Sequence, residues 1–184
     1  TSDEAHSGSQ CMKLGSSSTP AFTHGRLSLI ANKEYTFSCW IKRDSSSVPF
    51  YDTTGLIDIE NVQPTTPVNV ETDIRSGRIV NGWQKVEIDF VSTTGGSIIR
   101  TTFNTGSTAL YVDDIRIAPK VGGIMTYVYD PNNFRLVATL NANNYATYYF
   151  YDEQGNLYLT KQETEEGIFT ISESHGYMKP TAQN

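Results

Sequence analysis

Two adjacent carboxylates, Asp113 and Asp114, interrupt the apolar run from Ala109 to Ile117 (Ala-Leu-Tyr-Val-Asp-Asp-Ile-Arg-Ile). Successive side chains of a strand point to opposite faces, so the pair cannot turn both acids the same way. The apolar pattern also changes parity here: Leu110 and Val112 precede the pair, Ile115 and Ile117 follow it. A phase change of one residue is what a β-bulge produces. At such a bulge one carboxylate can face the interior, where it is costly unless a cation or hydrogen-bond donors meet it. The other reading is a surface turn with two solvated acids.

Further carboxylates lie on or near strands: Asp58, Glu60, Glu71, Asp73, Glu87 and Asp89. Glycoside hydrolysis needs two of them at a fixed separation across a cleft, and nothing singles out a pair. Glu87 and Asp89 share a parity opposite Val86, Ile88 and Phe90, which reads as a solvated strand face. The three histidines, His6, His24 and His175, are scattered and show neither zinc-ligand spacing nor a Gly-x-Ser-x-Gly nucleophile elbow nearby. The expectation is a chain that is not an enzyme.

The elements that position these residues read as strands. Alternation is plain over Lys33 to Lys42, Trp83 to Val91, Ile98 to Phe103 and Leu110 to Ile117, with turn-rich clusters such as 44–48 and 93–97 between them. Short strands without helical periodicity predict an all-β chain, an antiparallel sandwich of the jelly-roll form. With 184 residues the chain can bury a core. A balance of 20 acidic against 14 basic residues, with no basic cluster, argues against nucleic acid as a partner. No apolar run approaches the roughly 20 residues of a membrane span. The chain opens at Thr1 without an initiator Met or signal peptide, as a fragment of a larger parent polypeptide would. Cys11 and Cys39 fall on opposite strand faces, so the pattern predicts two unlinked thiols.

Four segments carry a family resemblance: Ala5 to Ser9 followed by a Lys-Leu strand, Tyr35 to Lys42, Gly82 to Val86, and Tyr111 to Ile115. In this order they resemble the jelly-roll carbohydrate-binding modules of the cellulose, xylan and β-glucan-binding type, over about residues 1–120. The resemblance implies a galactose-binding-like β-sandwich that is non-catalytic and binds a polysaccharide or cell-surface glycan. It also implies a structural calcium between the N-terminal segment and the last strand. The matching metal positions are Asp3 or Glu4, backbone oxygens around His6 to Ser9, and Asp113 or Asp114, a staple joining both ends of the sandwich. His6 itself reads as packed or exposed, not as a ligand.

Sugars stack their C–H face on an aromatic ring, so a ring at a solvent-facing strand position is the feature to look for. Trp40 shares a parity with Thr36, Ser38 and Lys42, opposite Tyr35, Phe37, Cys39 and Ile41. It lies either on a concave binding face or beneath a loop or the C-terminal extension. Phe50 and Tyr51 follow a Pro in a polar loop and either rim a cleft or plug the sandwich end; Tyr111 could lie on either face. Trp40, Lys42, Phe50, Tyr51 and Tyr111 are therefore the candidate carbohydrate-binding residues, and Trp83 reads as packing.

Beyond Gly122 and Gly123 the composition changes. Tyr129-Asp130 and Tyr151-Asp152 recur 22 residues apart, each followed by a turn and an apolar strand, an internal repeat of hairpins. Residues 121–184 resemble the Tyr-Asp (RHS-type) repeats of large bacterial surface proteins, which implies a secreted or cell-surface location. The first copy has Asn132-Asn133 where a Gly is usual, and Asn tolerates left-handed backbone. The alternative for the whole chain is a structural or protein-interaction spacer without sugar affinity.

Overall fold

Strands form where the alternation is cleanest. In the computed structural model, which describes residues 5–24, 27, 29–43, 50–61, 68–69, 71–92 and 98–174, all regular structure is β. The strands of the first part are β1 (Met12–Leu14), β2 (Ala21–His24), β3 (Glu34–Arg43), β4 (Ile57–Asn61), β5 (Val68–Asn69), β6 (Glu71–Val80), β7 (Trp83–Val91), β8 (Ile99–Phe103) and β9 (Leu110–Pro119). They build two antiparallel sheets of order β1-β9-β3-β7-β6 and β2-β8-β4-β5. The chain passes back and forth between the two, which makes a jelly-roll sandwich. Among the described residues no helix is long and apolar enough to cross a membrane.

The core between the sheets follows the strand period of two. Tyr35, Phe37, Cys39 and Ile41 of β3 meet Val86, Ile88 and Phe90 of β7, with Ile57, Ile59, Ile99 and Phe103 opposite. The intervening β3 residues Thr36, Ser38, Trp40 and Lys42 are thereby turned to the outer face of the first sheet. Cys39 is in the core while Cys11 packs against the outer-face cluster, so the two cysteines, not linked to each other, sit on opposite sides of one sheet. Asp89 departs from the solvated-face expectation. It is buried, bonded twice by Arg75 (2.5 and 3.1 Å) and once by the Thr36 hydroxyl (2.7 Å). The guanidinium beside it holds its carboxyl well below the usual range.

A third sheet follows: β10 (Thr126–Tyr129), β11 (Leu136–Leu140), β12 (Ala146–Tyr151), β13 (Leu157–Thr164) and β14 (Gly167–Glu173), paired in chain order as an antiparallel meander. Both Tyr-Asp pairs end a strand, and the pairing register shifts just before each Tyr. Each Asp then caps its turn: Asp130 accepts from Asn132 N (2.8 Å), Asp152 from Asn156 N (2.7 Å). The hairpins also touch. Tyr151 donates to the Leu136 carbonyl (2.9 Å), and Arg135 covers both the Tyr151 ring and the face of Gly155, where a Cβ would lie 2.5 Å from its guanidinium. In the second copy the left-handed residue is Gly155 (φ 88°). In the first it is Phe134 (φ 57°), not Asn132 or Asn133, whose side chain and backbone instead serve Asp130.

Two substitutions probe these elements by chemical denaturation. Phe37→Ala empties a fully buried site between the sheets and should lower stability by about 3–5 kcal/mol. Phe134→Gly should raise it by about 0.5–1 kcal/mol, because left-handed backbone costs an L side chain about 1–2 kcal/mol and the freer unfolded chain returns only part of that. A lowered midpoint for Phe134→Gly would mean that its ring, 79% exposed, still contributes packing.

Candidate functional site

The bulge expected at the acidic pair is present. Ser38 pairs with Arg116 and Trp40 with Asp113, so two steps along β3 match three along β9, and Asp114 is left-handed (φ 48°). The extra residue absorbs the parity change: Leu110, Val112, Ile115 and Ile117 all reach the core. Tyr111, Asp113 and Arg116 are left on the outer face.

Protein donors meet both carboxylates. Asp113 Oδ2 accepts the backbone N–H of His6 (2.8 Å) and Ser7 (3.3 Å), and its Oδ1 accepts Asp114 N–H (2.8 Å). Asp114 Oδ1 accepts the Ser7 hydroxyl (2.7 Å), and its Oδ2 faces His6 Nδ1 (2.7 Å). The other ring nitrogen, Nε2, faces both oxygens of Glu163 on β13 (3.0 and 3.1 Å). Glu163 also accepts Ala146 N–H (3.1 Å), and the Tyr148 hydroxyl donates to the His6 carbonyl (3.0 Å).

An ionised carboxylate only accepts hydrogen bonds, and a neutral imidazole has a single N–H. A ring with a carboxylate on each nitrogen is therefore satisfied only as the imidazolium. Burial, the largest influence on His6, lowers its pKa, but the hydrogen bonds and charges of Asp114 and Glu163 outweigh it and raise the value to about 9. The Asp113 carboxyl is pushed up, first by burial and then by the neighbouring Asp114 charge.

Among the described residues, this donor set differs from the cluster of oxygen ligands that calcium takes. Each of the four carboxylate oxygens of Asp113 and Asp114 is already engaged, and the residues from His6 to Ser7 offer them N–H and hydroxyl donors. The His6 carbonyl accepts the Tyr148 hydroxyl. Among the described residues no cluster of three or more metal-binding side chains is found. Asp3 and Glu4 lie outside the described residues.

Trp40 is the main correction to the expected sugar-binding set. Its ring is 1% exposed, stacked under His6 (centroids 4.0 Å apart, planes 16° from parallel) and edged by Tyr145 (5.8 Å). The indole N–H donates to the Asn144 carbonyl (2.8 Å). Outward parity takes the ring away from the core but not into water, because the C-terminal extension covers this face. Trp83 packs beside it, as expected of a structural Trp. Tyr111 is buried in the same cluster, its hydroxyl accepting from Lys13 Nζ (2.7 Å). Lys42, also on this face, lays its side chain over Gly82.

Phe50 and Tyr51 lie elsewhere, at one end of the sandwich. Tyr51 plugs that end: its ring is in the core, its N–H donates to the buried Gln84 Oε1 (2.5 Å), and its hydroxyl donates to the Gly82 carbonyl (2.9 Å). Phe50 is 49% exposed at the rim of a cleft of about 600 Å³ that Arg43, Asp52, Asn104 and Thr108 also line. Arg43 braces the wall through the Thr105 carbonyl (2.7 Å) and Thr108 Oγ1 (2.8 Å), and Asn104 Nδ2 donates to the Gly55 carbonyl (2.7 Å) and Asp58 (3.0 Å). Arg43 and Asn104 escape a sequence reading because they come from a strand end and a turn 61 residues apart. The only hint is the polar Asn-Thr-Gly-Ser-Thr cluster at 104–108.

No family model matches the chain, and no curated protein does. Among solved structures it is similar to the CBM22-1 xylan-binding domain of Paenibacillus barcinonensis Xyn10C, with 16% identity over 65% of this chain and 78% of that one, at a TM-score of 0.46. It is also similar to a CBM4 structure, with 18% identity over 55% of this chain and 61% of that one, at a TM-score of 0.37. Both likenesses are distant, and the architecture described above rests on strand order and core packing.

Proposed function

We propose that this chain is a non-catalytic carbohydrate-binding module of a large secreted or cell-surface bacterial protein, and that its glycan occupies the Phe50 cleft and not the face carrying Trp40. The observation that carries this reading is a half-exposed aromatic ring above a cleft walled by planar polar groups. Phe50 offers a stacking surface for a sugar's C–H face, while Arg43, Asp52 and Asn104 present donors and acceptors to its hydroxyls. The hairpins from β10 to β14 are read as Tyr-Asp (RHS-type) repeats that continue into the parent polypeptide.

A second reading, a spacer or interaction module without sugar affinity, has its own support. The third sheet covers Trp40 and Tyr111, and it shows exposed Tyr127, Tyr158 and Phe169. Such rings would suit further repeats or a partner protein.

A glycan array followed by titration of hits separates the two. Under the binding reading at least one plant or bacterial polysaccharide binds, and Phe50→Ala weakens it by about 1–3 kcal/mol, roughly 5- to 150-fold, without lowering the melting temperature. Absence of binding across the array would leave the spacer reading standing, whereas binding with equal affinity of wild type and Phe50→Ala would place the glycan elsewhere than the Phe50 cleft.

A further inference from the structure

We infer that His6 stands where a bound cation would otherwise be: its two ring nitrogens join Asp114 of the bulge to Glu163 of the third sheet and so clasp the C-terminal sheet to the sandwich without metal. The inference does not depend on sugar binding.

Three parts of the chain meet at this ring. Asp114 belongs to the sandwich, Glu163 to the third sheet, and His6 to the segment ahead of β1. The two carboxylates lie on opposite edges of one imidazole, so each loses its ring partner if the ring leaves and keeps only one other donor, the Ser7 hydroxyl for Asp114 and Ala146 N–H for Glu163. Its faces are also used: Trp40 stacks on it and Trp83 meets it edge-on (5.6 Å). The surroundings support the same docking. Arg116 on the outer face of β9 donates to the Asn141 carbonyl (2.8 Å) and bonds the Asn144 side chain, and Asn144 Nδ2 returns a bond to the Asp114 carbonyl (3.1 Å). Lys85 of β7 lies 4.4 Å from the Tyr145 ring centre. Gly8 packs so closely on Val128 of β10 that a Cβ there would fall 2.9 Å from Val128 Cγ1. A metal at the acidic pair would compete for the lone pairs that already accept the His6 and Ser7 N–H groups and the Ser7 hydroxyl. It would gain nothing to hold Glu163.

The full chain supplies its own readout, since its two tryptophans, Trp40 and Trp83, both lie at this interface. For the wild type, EDTA and millimolar calcium should leave the melting midpoint unchanged within about 1 °C. His6→Gln should lower the midpoint by on the order of 10 °C and shift tryptophan emission to longer wavelength, as expected when one partner of a buried charged group is removed. Glu163→Gln should give the same red shift while the circular dichroism of the sandwich persists. A midpoint that calcium raises by several degrees and EDTA returns would overturn the inference, as would a Glu163→Gln chain with wild-type emission and midpoint. If His6→Gln does not fold, the chelation and Glu163→Gln measurements still decide.

Discussion

Placing Asp113 and Asp114 side by side at a partly buried bulge is costly unless each is met by donors or an opposite charge. His6 and Ser7 meet them, and almost everything distinctive about the outer face of the first sheet follows. The bulge lets β9 keep Leu110, Val112, Ile115 and Ile117 in the core while it turns carboxylates toward the N-terminal segment. Holding that segment down places the imidazole on Trp40. The ring, once there, presents its far nitrogen to Glu163 and so brings in the third sheet.

Around Trp40 and Trp83 the first sheet is consequently covered on both faces, the inner by aliphatic packing and the outer by a mixed layer of aromatic rings and charges. The outer layer keeps its polarity because each polar group has a partner. Lys85 bonds Glu87 (2.8 Å), Asp89 bonds Arg75, and Trp40 bonds a backbone carbonyl. Every buried side-chain nitrogen and oxygen among the described residues is satisfied. A polar sheet face can thus serve as an interior surface when a second unit brings complementary groups.

Much of this was legible in the residues. The period of two in Tyr35 to Ile41 and Val86 to Phe90 marked core and outer faces correctly, and the parity change across Asp113-Asp114 marked the bulge. The partners of that bulge were not legible, because no local pattern connects a lone His6 to carboxylates more than a hundred positions away. The burial of Trp40 was hidden for a related reason: alternation tells which side of a strand a ring takes, not what lies on that side. Phe134 escaped because a bulky aromatic is a poor match to left-handed backbone, which its asparagine neighbours tolerate better.

The clasp has a further consequence for the order in which the chain acquires its structure. His6 is 108 residues from Asp114 and 157 from Glu163. A polypeptide made from its amino end onward therefore exposes His6 long before its partners exist. Closing loops of that length is entropically unfavourable and slow, so the segment around His6 is fixed last. During synthesis the sandwich strands can pair early, but the outer face of the first sheet and the two tryptophans stay uncovered until Glu163 arrives. That interval, not the finished fold, is when this protein is most open to association with other chains.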